Sequence, residues 1–76
     1  MKEIKIRDEY IKLGQAMKLC GAVQSGLEAK EYIINGEVEV NGQKEIQRGK
    51  KLHDGDVFNY KGNEYIIKSK MTENKV

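Results

Sequence analysis

The sequence has no proline, one cysteine and one histidine among 76 residues. The lone Cys20 excludes an internal disulfide framework, and one cysteine with one histidine is too few for a cysteine-rich zinc site. Aromatic residues are scarce, four tyrosines and one phenylalanine. No apolar run approaches the roughly 20 residues that span a bilayer. The opening Met1-Lys2-Glu3-Ile4-Lys5-Ile6 lacks the continuous apolar stretch of a signal peptide. With neither export signal nor paired cysteines, the expected compartment is the reducing cytoplasm, and no membrane partner is expected. A chain of 76 residues has room for one domain, expected over 1–69, and a polar C-terminal tail over 70–76. A deep catalytic cleft with its supporting shell does not fit such a core.

The charges nearly balance, with 14 Lys and Arg against 12 Asp and Glu, for a net +2. Their distribution is more informative than their sum. Residues 1–42 hold six basic and seven acidic side chains, whereas 43–76 hold eight and five. Within the second part, Gln47 to His53 contains Arg48, Lys50 and Lys51 and no acid.

Hydrophobic periodicity predicts a small α+β domain. Glu3 to Arg7 alternates like a half-buried strand. Leu13, Ala16, Met17 and Cys20 then follow the spacing of one helix face, with Gly21 in the position of a C-terminal cap. Ser25-Gly26-Leu27-Glu28 has the form of a capping box and opens a second helix, which Asn35-Gly36 closes. Ala29, Tyr32 and Ile33 mark its inward face, and Leu27 and Ile34 fall outside that stripe. Glu37-Val38-Glu39-Val40 alternates, Asn41-Gly42 is a strong hairpin turn, and Gln43 to Ile46 returns. Val57–Tyr60 and Glu64–Ser69 form a second hairpin around Lys61-Gly62-Asn63.

Few residues are suited to catalysis. Cys20 lies on the apolar helix stripe and reads as a buried thiol, while His53 reads as a surface turn residue without a second catalytic group beside it in sequence. Asp54-Gly55-Asp56 lacks the remaining ligands of a calcium loop and reads as a turn whose carboxylates bond nearby N–H groups. Neither GxGxxG nor a Walker pattern occurs. No catalytic residue, metal ligand or cofactor is expected. The feature suited to binding is Gln47-Arg48-Gly49-Lys50-Lys51, three cations in four residues around a flexible glycine, which can follow a phosphate backbone. Tyr10, Tyr32, Phe58, Tyr60 and Tyr65 fall mostly on apolar patterns and are expected in the core, which disfavours single-strand stacking.

Taken in order, Leu13...Gly21...Ser25-x-x-x-Ala29-Lys30...Ile33, Gly36-Glu37-Val38-Glu39-Val40-Asn41-Gly42 and Gly55-Asp56-Val57 resemble the S-four-like alpha-L RNA-binding domain. That module is named after a small-subunit ribosomal protein and recurs in pseudouridine synthases and tyrosyl-tRNA synthetases. Val23-x-Ser25-Gly26-x-x-Ala29-Lys30 with Arg48-Gly49-Lys50-Lys51-Leu52-x-x-Gly55-Asp56 is nearer still to its short stand-alone bacterial members. The resemblance implies an α+β fold with two helices packed on a small, mainly antiparallel sheet of about four to five short strands. It also implies RNA binding through one basic face, with Lys12, Lys18, Lys30, Arg48, Lys50 and Lys51 as the contacting cations and Ser25 as a helix cap. The implied partner is structured RNA, ribosomal RNA or a ribosome-assembly particle, bound by a monomer through charge and shape. Many members carry arginine after the cap serine, where this chain has Gly26. Two other classes stay open: a protein-interaction module meeting its partner through the sheet face or Leu27 and Ile34, and a small enzyme or metal protein built on His53.

Overall fold

Alternating residues at the start of the chain form strand β1 (Lys2–Ile6), whose Ile4 and Ile6 are buried while Lys2, Glu3 and Lys5 face solvent. The computed structural model describes residues 1–70. In it β1 is followed by β2 (Tyr10–Lys12), α1 (Leu13–Leu19), α2 (Gly26–Ile34), β3 (Val38–Val40), β4 (Gln43–Lys44), β5 (Lys51–His53), β6 (Val57–Tyr60) and β7 (Asn63–Ser69). The tail expected over 70–76 lies, Lys70 apart, outside the described residues.

Five strands form one sheet in the order β1-β7-β6-β3-β4. It is antiparallel except where β1 runs parallel to β7, with Ile4 opposite Ile67. Parallel neighbours need a long connection, and here all the intervening elements supply it. Both hairpins turn through two residues with positive φ, Asn41-Gly42 (51° and 85°) and Lys61-Gly62 (52° and 80°), as the twist of antiparallel strands favours. Asn41 also ties its hairpin to the neighbouring strand, since its side-chain oxygen accepts from the Val57 N–H at 3.0 Å and its amide donates to Asp56 at 3.1 Å.

A second, two-stranded sheet pairs β2 with β5 antiparallel. Sequence patterning did not anticipate it, because each strand has only three residues and the partners are remote in the chain. Its outer face carries Tyr10, Lys12, Lys51 and His53, and its inner face Ile11 and Leu52. Two expectations are thereby corrected. His53 ends a strand instead of sitting in a turn, and Tyr10 lies on the outer face, 36% exposed, instead of in the core.

The helices behave as their caps predict. The Ser25 hydroxyl accepts from the Glu28 N–H at 3.1 Å, and the Glu28 carboxylate accepts from the Gln24 N–H at 2.8 Å. Both helices end in a Schellman arrangement, with the Ala22 N–H bonded to the Met17 carbonyl and the Glu37 N–H to that of Tyr32. Gly21 and Gly36 supply the left-handed residue at those ends, with φ of 81° and 78°. Leu13, Ala16 and Met17 of α1 and Ala29 and Ile33 of α2 are buried with Val38, Leu52, Phe58 and Ile67 in one core. Cys20 is partly buried at its edge, its thiol 3.4 Å from the Met17 carbonyl. Ser69 is a buried polar residue, and its hydroxyl donates to the Asp8 carbonyl at 2.6 Å.

Two core tyrosines make folding sensitive to alkali. Burial raises Tyr60 above the ordinary value of 10.0, assisted by a hydrogen bond with Tyr32 and opposed by Lys61. Burial likewise raises Tyr65, with Cys20 adding to it. Above pH 10 the unfolded chain releases phenolic protons that the folded chain retains, so the stability present at lower pH is lost as pH rises. Urea titrations at stepped pH should show the unfolding midpoint falling above pH 10, and Tyr65→Phe should flatten that fall. A midpoint independent of pH up to 11 would show that these phenols titrate as in the unfolded chain.

Candidate nucleic-acid interface

The basic segment is held by its backbone. Helix α1 starts at Leu13 without a side-chain cap from Lys12. The orphan N–H groups of its first turn donate instead to the 47–50 segment, Leu13 to the Lys50 carbonyl at 2.9 Å and Gly14 to the Arg48 carbonyl at 3.0 Å. The segment is itself turned by a bond from the Lys50 N–H to the Gln47 carbonyl at 3.2 Å, and the Glu45 carboxylate accepts from the Gln47 N–H at 3.1 Å. With its first N–H groups occupied in this way, the α1 terminus is no anion site. Its consequence is positional, since Arg48 is set beside the exposed flank of α1.

Lys12, Gln15, Lys18 and Arg48 line a recess of about 380 Å³ together with Gly14, Gly26 and Gly49. Three cations and no carboxylate line it. Among the described residues the one ion-pair contact is His53 with Asp56 at 3.9 Å, so no acid sits within pairing distance of these lysines or of Arg48. Lys51 adjoins the recess, directly opposite Lys12 across the β2–β5 ribbon. Like charges placed opposite one another disfavour a ladder, and Lys51 offsets part of that by stacking its ammonium over Tyr10, 4.8 Å from the ring centroid.

The six cations singled out by sequence are therefore not equivalent. Lys12, Lys18 and Arg48 are brought together, and Lys51 stands next to them. Lys30 does not line the recess but lies one turn beyond Gly26 on the same side of α2. Lys50 lines a different recess, with Val40, Asn41, Gln43, Lys44 and Glu45. Sequence reasoning missed Tyr10 as a surface residue of this region, whereas the helix spacing places Gln15 with Lys12 and Lys18 away from the apolar stripe. The alternation in Tyr10-Ile11-Lys12 is the signal that places Tyr10 on the same face as Lys12.

The S4 domain model matches residues 4–68, nearly the whole chain and every element of the fold from β1 to β7. The chain belongs to the S4 domain family. It is 44% identical over 59 residues to the probable ribosome maturation protein RlbA of Bacillus subtilis (strain 168), a match spanning 78% of this chain and 83% of that protein. The similarity to that protein covers most of both chains. Among the described residues no group of three or more His, Cys, Asp or Glu is placed to hold a metal, and no helix is long and apolar enough to cross a membrane.

The contact between Gly14 and the Arg48 segment has a measurable consequence. A Cβ at Gly14 would meet the Arg48 Cβ and carbonyl oxygen at 3.6 Å, ordinary van der Waals distance. Gly14→Ala should therefore stabilise the fold by about 0.5–1 kcal/mol through helix propensity, read as a raised urea midpoint with unchanged slope. A lowered midpoint would mean that the segment packs too closely to admit a methyl group.

Proposed function

We propose that this chain is a non-catalytic, cytoplasmic RNA-binding protein that docks as a monomer on structured ribosomal RNA or a ribosome-assembly particle. The carrying observation is the carboxylate-free recess in which Lys12, Lys18 and Arg48 converge, with Lys51 beside it. Family membership and the similarity to a protein named for ribosome maturation support the same reading. Phosphates are the natural occupants of such a surface, because Arg offers a planar fork and Lys a mobile point charge. The narrow major groove of folded RNA excludes side chains, so backbone and 2′-hydroxyl contacts dominate and recognition rests on shape and charge. Lys12, Lys18, Arg48 and Lys51 form the centre of the contact, with Lys30 and Lys50 on its margins.

A protein-interaction role is the second reading, and one observation favours it. Leu27 and Ile34, 69% and 56% exposed, stand two turns apart on α2. The two readings separate by nucleic-acid binding itself.

If about four cations each neutralise one phosphate, anisotropy with a structured ribosomal RNA fragment should give a log–log salt slope of about −3 to −4. Arg48→Ala should reduce that slope by about one unit and weaken unrelated RNAs alike, whereas Lys50→Ala should do less. Gly26 offers a gain-of-function test. A Cβ there meets no atom within 4 Å, so Gly26→Arg should add a cation to the recess lining, tightening binding and steepening the slope by about one unit. Absence of binding at low salt would favour the protein-interaction reading.

A further inference from the structure

The ridge of α1 has a recess on each side. Gln15 and Lys18, one turn apart, line both. The second recess, also about 380 Å³, has a different chemistry from the cationic one. Its walls are aliphatic, from Ile6, Ile11 and Leu19, and the exposed ring of Tyr10 forms one edge. Its charged and amide groups are the carboxylate of Asp8, the ammonium of Lys18 and the amide of Gln15. The backbone at Asp8 is fixed from below by the bond that its carbonyl accepts from the buried Ser69 hydroxyl. Tyr10 is fixed from the side by Lys51 over its ring and by the His53 ring at 5.8 Å.

A carboxylate here is out of place for phosphate binding. Asp8 repels phosphate and the two carbonyls that flank the uracil N3–H, but it accepts a hydrogen bond from an exocyclic amino group without facing a carbonyl on both sides. A flat polar heterocycle needs apolar walls, an aromatic edge and one or two in-plane polar partners, and these side chains provide them. A polynucleotide alternates phosphate with such heterocycles, and the two recesses alternate in the same way across one helix ridge. Resting on the RNA-binding reading above, we propose that this recess receives one unpaired nucleobase bearing an exocyclic amino group, with Asp8 accepting from that group and Tyr10 packing against the base. The S4 domain would then read a bulged or splayed nucleotide beside the backbone that the cations hold, adding a base preference to shape and charge.

The test uses the full chain and three RNA hairpins with one stem: fully paired, with a bulged adenosine, and with a bulged uridine. Anisotropy should show the bulged-adenosine RNA bound about five- to tenfold tighter than the paired stem, the range that stacking one base supports, with bulged uridine in between. Tyr10→Ala should abolish this preference without altering the salt slope. Asp8→Asn should bring adenosine and uridine bulges to within about twofold, since the amide can also donate to uracil, while binding of the paired stem is unchanged or tighter. Arg48→Ala should weaken all three RNAs equally. Thermal melting checks each variant's fold, and if Tyr10→Ala does not fold, Asp8→Asn at its exposed side chain carries the comparison alone. Equal binding of the three hairpins by the parent chain overturns the base site and leaves the RNA-binding reading intact. So does an equal effect of Asp8→Asn on both bulged RNAs. Failure of all three to bind at low salt overturns both.

Discussion

Two backbone hydrogen bonds organise the surface of this domain, those from the first N–H groups of α1 to the Arg48 and Lys50 carbonyls. A helix start must satisfy its orphan donors somewhere, and Lys12 provides no side-chain cap. The 47–50 segment meets that need with main-chain oxygens, which frees its side chains to point elsewhere. The same contact brings β5 alongside β2, so that Lys51 faces Lys12 and His53 faces Tyr10. Leu52 and Ile11 then fall on the inner side, and Leu52 is completely buried. A polar requirement at a helix end and the hydrophobic burial of Leu52 thus hold the basic segment in place together.

The larger sheet has the complementary role of closing the molecule. Pairing β1 with β7 brings the beginning and the end of the described chain together and places Ile4 and Ile67 in the core from adjacent strands. The Asn41 and Asp56 contacts join the first hairpin to the start of β6. Asp56 also accepts from the His53 N–H at 2.7 Å, and Asp54 accepts from the Ser69 N–H at 2.8 Å. The turn that follows β5 is therefore bonded to β7, and the small ribbon is tied to the large sheet through it. Asp54-Gly55-Asp56 is a structural clamp, as its turn chemistry suggests, with Gly55 at φ 88° supplying the backbone freedom.

Much of this was legible in the sequence, for identifiable reasons. Local signals named their elements: Ser25 and Glu28 the start of α2, Gly21 and Gly36 the helix ends, and Asn41-Gly42 the first hairpin. Each acts within a few residues, so it can be read without knowing the fold. The stripe of Leu13, Ala16 and Met17 was legible for the same reason. The β2–β5 ribbon was not, because three-residue strands have no period and their pairing is decided by tertiary contact. Its absence displaced Tyr10 into the expected core and left His53 in a turn. The same non-local geometry separates the cations, since Lys50 and Arg48 are near neighbours in sequence yet line different recesses. Composition and order could nominate both, and only the helix–segment contact distinguishes them.

The near-balance of charge conceals how unevenly the charges are placed, with three cations and no carboxylate in the recess beside α1. Twelve acids accompany fourteen Lys and Arg, yet several of those acids are committed to other partners. Glu28 caps the Gln24 N–H, Glu45 holds the Gln47 N–H, Asp54 holds the Ser69 N–H, and Asp56 holds that of His53. Carboxylates used as acceptors for backbone donors stabilise turns and helix starts without neutralising a lysine at ion-pair distance. The domain therefore gains local order from its acids, while among the described residues Lys12, Lys18 and Arg48 make no ion pair around the recess they line. A surface optimised for stability alone would intersperse opposite charges there, because opposed lysines such as Lys12 and Lys51 cost the ladder something. Under the proposed RNA-binding role, a phosphate seated between these cations would offset that cost. Net charge is therefore a poor guide to this domain, and the assignment of its acids to backbone partners is a good one.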